Sequence, residues 1–389
     1  MQTQASSHIG IGIIGTGGIA REHARAIRQL SDRAVLIAAC DENKARVLHF
    51  GEEYFFPFKF HSVDDLVSRS DIDLIIVSTP PSTHEAIVRQ ALAAGKYVIC
   101  EKPVAHCLAS ADRIIEHAKS KPGKLSVAYQ LRYSAETLRL KWLLAQPEFA
   151  GKKTIDCRRV TPILPATVRR GWWGKWNVAG GGAVMTQFIH QIDLICDVMG
   201  QPSSVDARMS SQIPGLESED TCEFQIGFSD DSTAKCFCSV AEGKLENGLQ
   251  FSGDFGSIQV PWQANLKKGN DKLNEAERLY QSDSMTPPSI STRIKRKLTR
   301  KLGFAHTLPR LDGFCSHKPY LESVINAIQS GQPLPVGPEE ARRSLEVVTA
   351  IYRSVATRKR VELPLANDEL GYSGWTTENF SATEELVQA

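Results

Sequence analysis

The first 130 residues alternate continuous apolar runs with segments of helical periodicity. The apolar runs cover residues 9–14, 34–39, 74–77, 97–100 and 125–129. Runs of this length without polar alternation are typical of strands buried on both faces of a sheet. The segments between them space their apolar residues three and four positions apart, as amphipathic helices do. The pattern therefore predicts an α/β unit with a doubly wound parallel sheet.

After residue 150 the pattern changes to strands joined by short polar turns such as Ser229–Ser232. The predicted strands are Lys153–Val160, Val205–Ser210, Cys222–Phe228, Ala234–Val240, Leu249–Ser252 and Ser257–Val260. One helix, Ala183–Met199, interrupts them and follows the glycine run Gly180–Gly182. Strands that follow one another through tight turns favour antiparallel pairing. This half is therefore predicted to be an α+β domain with a largely antiparallel open sheet.

A glycine-rich turn joins the first predicted strand to the first predicted helix. The spacing is G-x-G-x-x-A, from Gly15 to Ala20, and a second strand ends at Asp41. In a Rossmann domain the first glycine allows the turn, the second admits a pyrophosphate, and the acid binds the adenosine ribose. The alternative is a βαβ unit whose glycine turn binds nothing. We predict dinucleotide binding by Gly15, Thr16, Gly17, Gly18, Ile19 and Asp41.

These patterns divide the chain into three parts. Residues 1–130 are predicted to form the dinucleotide-binding Rossmann domain, and residues 131–366 a domain for substrate binding and oligomerisation. The second domain contains an insertion at 264–312 whose basic run, 293–301, is interpreted as a solvated helix face. The polar C-terminal tail, 367–389, is expected to be a subunit arm or a disordered segment.

Composition restricts the classes of function. A formal net charge of +2 over 389 residues argues against nucleic acid as the partner. No apolar run reaches the length of a membrane span, and the first eight residues lack the features of a signal peptide. The nine cysteines are scattered without a paired CxxC, so we expect reduced, buried thiols, no metal site and a cytoplasmic location.

Two further turns stand where predicted parallel strands end. Thr79-Pro80-Pro81 with His84 follows one strand, and Glu101-Lys102-Pro103 follows the next. Ligands of doubly wound sheets bind at the carboxyl ends of the strands. We therefore predict that Thr79, Pro80, His84, Glu101 and Lys102 contact the cofactor.

Taken together, these motifs resemble the Gfo/Idh/MocA family of sugar and cyclitol oxidoreductases. The resemblance extends over about residues 9–365. Besides the turns above, it rests on Arg132-Tyr133, Gly180-Gly181-Gly182, His190-Gln191-Ile192-Asp193 and the closing segments Leu334–Val336 and Val361–Pro364. The family resemblance implies a nicotinamide cofactor, a Rossmann domain followed by an open antiparallel sheet, and assembly as a homodimer or homotetramer.

The resemblance also implies a catalytic pair. Lys102 matches the family lysine that hydrogen-bonds the reacting hydroxyl, and the bond before Pro103 is then expected to be cis. His190 matches the histidine that acts as acid and base. The alternatives are a surface lysine in a turn and a histidine satisfied in the core. Thr186 stands four residues before His190, where many members have aspartate, and Asp193 is interpreted as a structural partner.

Weaker candidates for substrate contact lie nearby. Arginine suits hydroxyls or carboxylates and aromatic faces suit sugar rings, so Arg132, Trp172 and Trp173 join Thr186 as predicted substrate-binding residues. The hydroxyl of Thr186 is expected to bind substrate or to orient the His190 ring, because positions four apart share a helix face. Tyr133, Trp176, His317 and Tyr320 are further candidates; the last two begin a helix that is able to close over the site.

The sequence thus predicts an NAD(P)-dependent oxidoreductase acting on a secondary hydroxyl of a sugar, sugar derivative or inositol-like polyol. NAD is expected over NADP because the carboxylates of Asp41 and Glu42 repel a 2′-phosphate, although Lys44 opposes them. Two alternatives stay open. One is an NAD-dependent, redox-assisted glycoside hydrolase, which the Thr186 departure allows, and the other is a non-catalytic dinucleotide sensor.

Overall fold

Two sheets organise the protein. The computed structural model describes residues 8–163, 171–241, 243–260, 263–266 and 317–380. The first sheet contains β1 (Ile9–Ile14), β2 (Ala34–Cys40), β3 (Phe58–Phe60), β4 (Leu74–Val77), β5 (Tyr97–Cys100) and β6 (Leu125–Val127). Its helices are α1 (Gly18–Arg28), α2 (Lys44–Tyr54), α3 (Val63–Val67), α4 (Pro81–Ala93) and α5 (Leu108–Ala118).

The second sheet contains β7 (Thr154–Val160), β8 (Pro202–Ser210), β9 (Thr221–Phe228), β10 (Thr233–Ser239), β11 (Glu246–Gly253), β12 (Gly256–Val260), β13 (Gln263–Leu266) and β14 (Val361–Glu362). The remaining helices are α6 (Ala135–Leu144), α7 (Trp176–Ala179), α8 (Ile189–Met199), α9 (Lys318–Ser330) and α10 (Pro338–Thr357). A π-helical turn, Val184–Phe188, leads into α8, and 3₁₀ turns span Gln130–Tyr133 and Pro147–Phe149.

The first sheet is parallel throughout, in the order β3-β2-β1-β4-β5-β6. Every residue of β1 and β4 is buried, which explains their continuous apolar sequence. The predicted doubly wound Rossmann sheet is confirmed. Strand β3 escaped prediction because it is three residues long and only half buried.

The second sheet has eight strands in the order β13-β12-β11-β7-β10-β9-β8-β14. Six of its seven strand pairs are antiparallel, and β7 runs parallel to β10 from Thr154 beside Thr233 to Val160 beside Ser239. The largely antiparallel prediction is therefore confirmed with one exception. Helix α10 packs against β8 and β14 of this sheet and against α8, and β9 alternates buried residues with more exposed ones.

Helix α9 returns to the first sheet. Tyr320, Leu321 and Val324 are buried in one core cluster with residues of β1 and α1. The Arg33 guanidinium, at the start of β2, donates hydrogen bonds of 2.6 Å to the side chains of Asn326 and Gln329. This helix, predicted as part of the second domain, thus completes the first.

The start of the C-terminal tail packs on the chain itself. Tyr372, Trp375 and Phe380 are buried, and Phe380 stacks on Trp176 with 4.8 Å between ring centroids. The prediction of a disordered segment is wrong for residues 367–380, because three aromatic side chains of this segment are buried in the core, and the subunit arm stays a prediction. The predicted basic run at 293–301 lies outside the described residues.

Two further expectations from composition concern the cysteines and membrane-spanning segments. Eight cysteines lie in the described part of the chain, and all are buried free thiols, as predicted. Across the described residues there is no helix with the length and apolar character that a membrane crossing requires.

Candidate active site

The turn after β1 leaves room for a phosphate group. Gly15 has φ of +87°, and a Cβ atom there would lie 2.7 Å from the carbonyl group of Ser78. A Cβ atom at Gly17 or Gly18 would meet nothing within 4 Å. The start of α1 therefore presents its backbone amides to open space, an arrangement that fits a dinucleotide pyrophosphate. Gly15 shapes the turn, and Gly17 and Gly18 leave the approach free.

The carboxylate of Asp41, directly after β2, stabilises this turn through hydrogen bonds from Thr16. The backbone amide and hydroxyl of Thr16 donate hydrogen bonds of 2.8 and 2.9 Å to Asp41 Oδ2, and the amide of Asn43 donates one of 2.9 Å to Oδ1. The hydroxyl of Thr16 is thus bound to Asp41, and the predicted contact of Thr16 with the cofactor stays a prediction. These three hydrogen bonds take three of the roughly four acceptor positions of the carboxylate and leave one for a ribose hydroxyl.

Arg46 is a neighbour of Asp41 that sequence reasoning missed. Its Nη1 lies 3.5 Å from both carboxylate oxygens, and its side chain is about half exposed. Asn43 caps α2 by accepting a hydrogen bond from the Arg46 amide, which turns this residue back toward the end of β2. A cation therefore stands beside the position expected for the adenosine ribose.

His84 links the two turns that follow β4 and β5. Its buried ring places Nδ1 3.0 Å from the Pro103 carbonyl oxygen and Nε2 2.8 Å from that of Thr79. Burial lowers the pKa of His84. Both nitrogens face backbone carbonyls, so the prediction that His84 contacts the cofactor is wrong: the side chain braces the site. Thr79 and Pro80 are partly buried at the sheet edge, where their predicted contact stays a prediction.

Glu101 is held inside the protein beside Lys102. His23 Nε2 donates a 2.7 Å hydrogen bond to Glu101 Oε1, and the Lys102 amide donates one of 3.2 Å to Oε2. Burial acts to raise the pKa of this carboxyl group, but the His23 hydrogen bond and the nearby His317 and Lys102 bring it to about 2. Glu101 therefore anchors the turn to α1, which corrects its predicted contact with the cofactor.

His317 joins this pair from the start of α9. Its Nε2 lies 3.9 Å from Glu101 Oε1, and its ring centroid is 4.6 Å from that of His23. Burial lowers the pKa of His317 to about 3. The three ligand-type atoms lie within 4.8 Å of one another, a cluster that sequence spacing does not reveal. Tyr320 is not part of it, because its hydroxyl bonds Ser126 at 2.6 Å.

Lys102 reaches the π-helical turn that leads into α8. The predicted cis bond between Lys102 and Pro103 is confirmed. Nζ donates a 2.7 Å hydrogen bond to the carbonyl oxygen of Thr186 in the π-helical turn. Burial lowers the pKa of Lys102 to about 8, Arg159 acts in the same direction, and Glu101 opposes both. The ammonium group therefore stands at the carboxyl end of β5 with a proton that is easier to lose than in water.

His190 lies in the first turn of α8 and is 9% exposed. Burial lowers its pKa well below the ordinary value, and the charge of Lys102 adds to this. Nδ1 has no hydrogen-bond partner among the described residues, and Tyr129 meets the ring edge-on at 6.0 Å. His190 is therefore a neutral imidazole close to an ammonium group. Lys102 contacts the carbonyl of Thr186, four residues before His190, and its charge acts on the imidazole, so both predicted catalytic residues lie in the same region; their roles stay predictions.

Thr186 contributes through its backbone. Its hydroxyl donates a 2.7 Å hydrogen bond to the Gly182 carbonyl, so it is engaged within the helix. The π-helical turn between Thr186 and His190 also breaks the 3.6-residue period on which a shared face depends. The prediction that the hydroxyl binds substrate or orients His190 is not supported, and the carbonyl that accepts from Lys102 is the contact found.

Arg132 is fully occupied inside the protein. Nε and Nη2 donate hydrogen bonds of 2.8 and 2.7 Å to the two carboxylate oxygens of Asp193, and Nη1 contacts Asp197 and Glu340. Ser344 of α10 donates a further 2.9 Å bond to Asp193. The predicted substrate contact of Arg132 is therefore wrong, while the structural role predicted for Asp193 is confirmed. The network joins α8 to the Gln130–Tyr133 turn and to α10.

Replacing Arg132 with methionine is expected to lower the free energy of unfolding by about 3–5 kcal/mol, because it leaves the buried Asp193 carboxylate without its ion-pair partner. Urea unfolding followed by circular dichroism measures this. Arg25→Met, which breaks an ion pair whose side chains are about half exposed, is the matched control, with an expected loss below about 1 kcal/mol. Equal losses in the two variants would contradict the account.

The tryptophans divide by burial. Trp173 is 5% exposed within the core, whereas Trp172 is 37% exposed. Trp176 donates a 2.9 Å hydrogen bond from Nε1 to the Glu217 carbonyl and packs among aromatic rings. Trp173 and Trp176 are therefore core residues, and the substrate contact predicted for Trp173 is wrong. For Trp172 that contact stays a prediction.

Comparison with known proteins adds family information. The chain matches two family models, an oxidoreductase family with an NAD-binding Rossmann fold over residues 9–129 and the C-terminal alpha/beta domain of an oxidoreductase family over residues 153–363. Together they cover both sheets described above.

The individual relatives share about a quarter to a third of their residues with this chain over the matched regions. An uncharacterized oxidoreductase of Schizosaccharomyces pombe is 34% identical over 262 residues, which are 62% of this chain and 69% of that protein. An inositol 2-dehydrogenase of Agrobacterium fabrum is 30% identical over 188 residues; they cover 48% of this chain and 52% of the relative, about half its length. The crystal structure of the WlbA dehydrogenase from Bordetella pertussis, in complex with NADH and UDP-GlcNAcA, is 24% identical and covers 92% of this chain and 99% of its own. Its TM-score of 0.74 shows a shared fold.

Proposed function

The chain belongs to the Gfo/Idh/MocA family of NAD-binding oxidoreductases, and we propose that it transfers a hydride between nicotinamide and a secondary hydroxyl of a sugar, sugar derivative or inositol-like polyol. Lys102 and His190 form the catalytic pair of this proposal. The observation that carries it is the Lys102 ammonium, held on the Thr186 carbonyl at 2.7 Å beside a buried, neutral His190.

The two side chains have complementary tasks in alcohol oxidation. His190, neutral because of its burial, takes the hydroxyl proton as general base. Lys102 donates a hydrogen bond to the same oxygen and stabilises the negative charge that develops there. NAD, when bound along the turn after β1, supplies the hydride acceptor. In the reverse direction His190 returns the proton to the oxygen.

The proposed substrate class draws on the relatives. One relative is an inositol 2-dehydrogenase, and the family models describe oxidoreductases. A polyol offers several hydroxyl groups that an ammonium group and a neutral imidazole are able to hydrogen-bond. We also propose assembly as a homodimer or homotetramer, for which the exposed face of the second sheet is the available surface.

The proposal is tested by NADH formation across a panel of inositols, aldoses, sugar acids and anhydrosugars. Turnover of one polyol by the wild type supports a dehydrogenase and identifies its substrate class. Release of the aglycone from glycosides, with bound NAD but no net NADH, would favour redox-assisted hydrolysis. NADH binding with neither activity would favour a sensor.

NAD is proposed as the preferred cofactor because the buried Asp41 carboxylate faces the ribose position. We expect NADH to bind at least about tenfold more tightly than NADPH in a fluorescence titration. Arg46→Ala is expected to weaken NADPH further by about tenfold, because it removes the cation beside Asp41, and to leave NADH within about threefold. NADPH binding as tight as NADH binding would overturn the preference.

A further inference from the structure

The buried carboxylate of Glu219 contacts residues 182–184, which begin the helical segment that carries His190. Oε1 accepts a 2.8 Å hydrogen bond from the Val184 amide, and Oε2 accepts one of 3.1 Å from the Gly182 amide. The backbone carbonyl of Glu219 accepts a third, of 3.1 Å, from the Ala183 amide. The first amides of a helical segment have no partner within it. Here one residue satisfies three of them in succession.

The glycine run makes this contact close. A Cβ atom at Gly182 would lie 1.9 Å from the Glu219 carbonyl oxygen, and one at Gly181 would lie 2.1 Å from the Tyr352 hydroxyl. That hydroxyl in turn donates a 3.0 Å hydrogen bond to Glu219 Oε1. The glycines are therefore needed at these positions because backbone, carboxylate and phenol meet there without space for side chains.

The residues that bind this carboxylate are connected to both Lys102 and His190. The Thr186 amide donates a 3.0 Å hydrogen bond to the Gly182 carbonyl, and the Thr186 carbonyl accepts the 2.7 Å bond from Lys102 Nζ. His190 follows in the next turn of the same segment. A shift of residues 182–184 therefore moves the acceptor that aims Lys102 and the helix that holds His190.

We infer that Glu219 is a positioning residue, whose carboxylate fixes the Val184–Phe188 turn and so sets the positions of Lys102 and His190 relative to each other. The inference rests on the proposed function for its effect on rate, while its structural part is measurable without any substrate. Misplacement of reacting groups by about an ångström lowers rates by about a hundredfold.

Ionisation of Glu219 provides a signature. Burial raises its pKa to about 7, against the opposing hydrogen bonds from Val184, Tyr352 and Gly182. The groups whose own pKa values Glu219 raises are Tyr352, Cys222 and Cys238, all neutral near pH 7. Protonation of the Glu219 carboxylate weakens its hydrogen bonds from the Gly182 and Val184 amides, so we expect turnover to fall below pH about 7. Folding has the opposite sign, because a carboxyl group with a raised folded-state pKa adds stability as the pH drops from about 7 toward its ordinary value.

The test compares wild type, Glu219→Gln, Tyr352→Phe and the surface control Glu246→Gln. Hydrogen exchange measured by mass spectrometry follows the peptide 182–192 against the peptide 9–20. In Glu219→Gln we expect at least about tenfold faster exchange of the first peptide and no change in the second. NADH affinity should stay within about threefold, and kcat on the polyol from the panel should fall about 10- to 100-fold.

The pH profile separates positioning from a merely structural effect. The wild type should lose kcat below pH about 7 while its melting temperature does not fall, and Glu219→Gln should lack this acid limb. Tyr352→Phe, which removes one hydrogen bond to the carboxylate, should move the limb to higher pH and serves as the test if Glu219→Gln does not fold. Unchanged exchange, or kcat within twofold of wild type, would overturn the inference. If Glu219→Gln speeds exchange of peptide 182–192 but the wild type turns over no polyol, the positioning role of Glu219 is supported and only the proposed function is contradicted.

Discussion

Replacing Lys102 with methionine is expected to lower kcat by about 10²–10³-fold while NADH binding stays within about threefold. Methionine keeps the length of the apolar stem but offers no proton to the oxygen of the substrate. The loss corresponds to one charged donor aimed at a developing oxyanion, worth about 2.7–4 kcal/mol in comparable sites. Stopped-flow and steady-state absorbance of NADH measure the rate, and fluorescence titration measures binding.

Lys124 provides a matched control for this variant. Lys124 lies just before β6, and its Nζ also donates a 2.7 Å hydrogen bond to a backbone carbonyl, that of Gly95. Lys124→Met therefore removes the same kind of contact at the opposite end of the parallel strands from Lys102 and should keep kcat within about twofold. In the wild type, kcat should also fall above pH about 8, because burial lowers the pKa of Lys102 to about 8 and the neutral amine is a poorer donor. Full activity of Lys102→Met would remove Lys102 from the mechanism.

His190→Asn is expected to lower kcat by about 10²–10⁴-fold, because asparagine hydrogen-bonds but does not accept a proton near neutral pH. The acid limb due to His190 should lie well below pH 6.5, since burial and the charge of Lys102 both disfavour the imidazolium. Free imidazole added to the variant should restore part of the rate. A histidine that only fills the core would show no such rescue.

His49→Asn is the control for this second variant. His49 lies on α2 with its side chain about three-quarters exposed, so its loss should leave kcat and NADH affinity unchanged. If His190→Asn retained most of its turnover, or lost NADH binding together with turnover, His190 would be a structural residue and the proton would need another acceptor.

The fold was accessible from sequence wherever burial is uniform. Strands β1 and β4 are buried on both faces and so appear as continuous apolar runs. The parallel pairing of β7 with β10 was not accessible, because pairing depends on which strand the sheet brings alongside. The ordered start of the tail was missed because three aromatic residues spread over a polar segment carry no period.

The site divides in the same way. Lys102 and His190 were predicted as a catalytic pair because each stands in a local motif, and their roles stay a proposal. Arg132 was misassigned because the carboxylates that bind its guanidinium, Asp193 and Glu340, are 61 and 208 residues away in the sequence. The contact of His23 with Glu101 spans 78 residues, and Glu219 reaches the Val184 amide across 35. Thr186 was misjudged for a local reason, since a single π-helical turn changes the face on which its hydroxyl lies.

Deuterium transfer tests the central claim most directly. A polyol that the panel identifies is labelled with deuterium at the carbon bearing the reacting hydroxyl and incubated with NAD and enzyme, and the reduced cofactor is analysed by mass spectrometry. Direct hydride transfer assisted by Lys102 and His190 predicts that the NADH carries the deuterium, with formation slowed by at least about a hundredfold in Lys102→Met and His190→Asn. NADH without the label, or labelled NADH formed equally fast by both variants, would contradict the account.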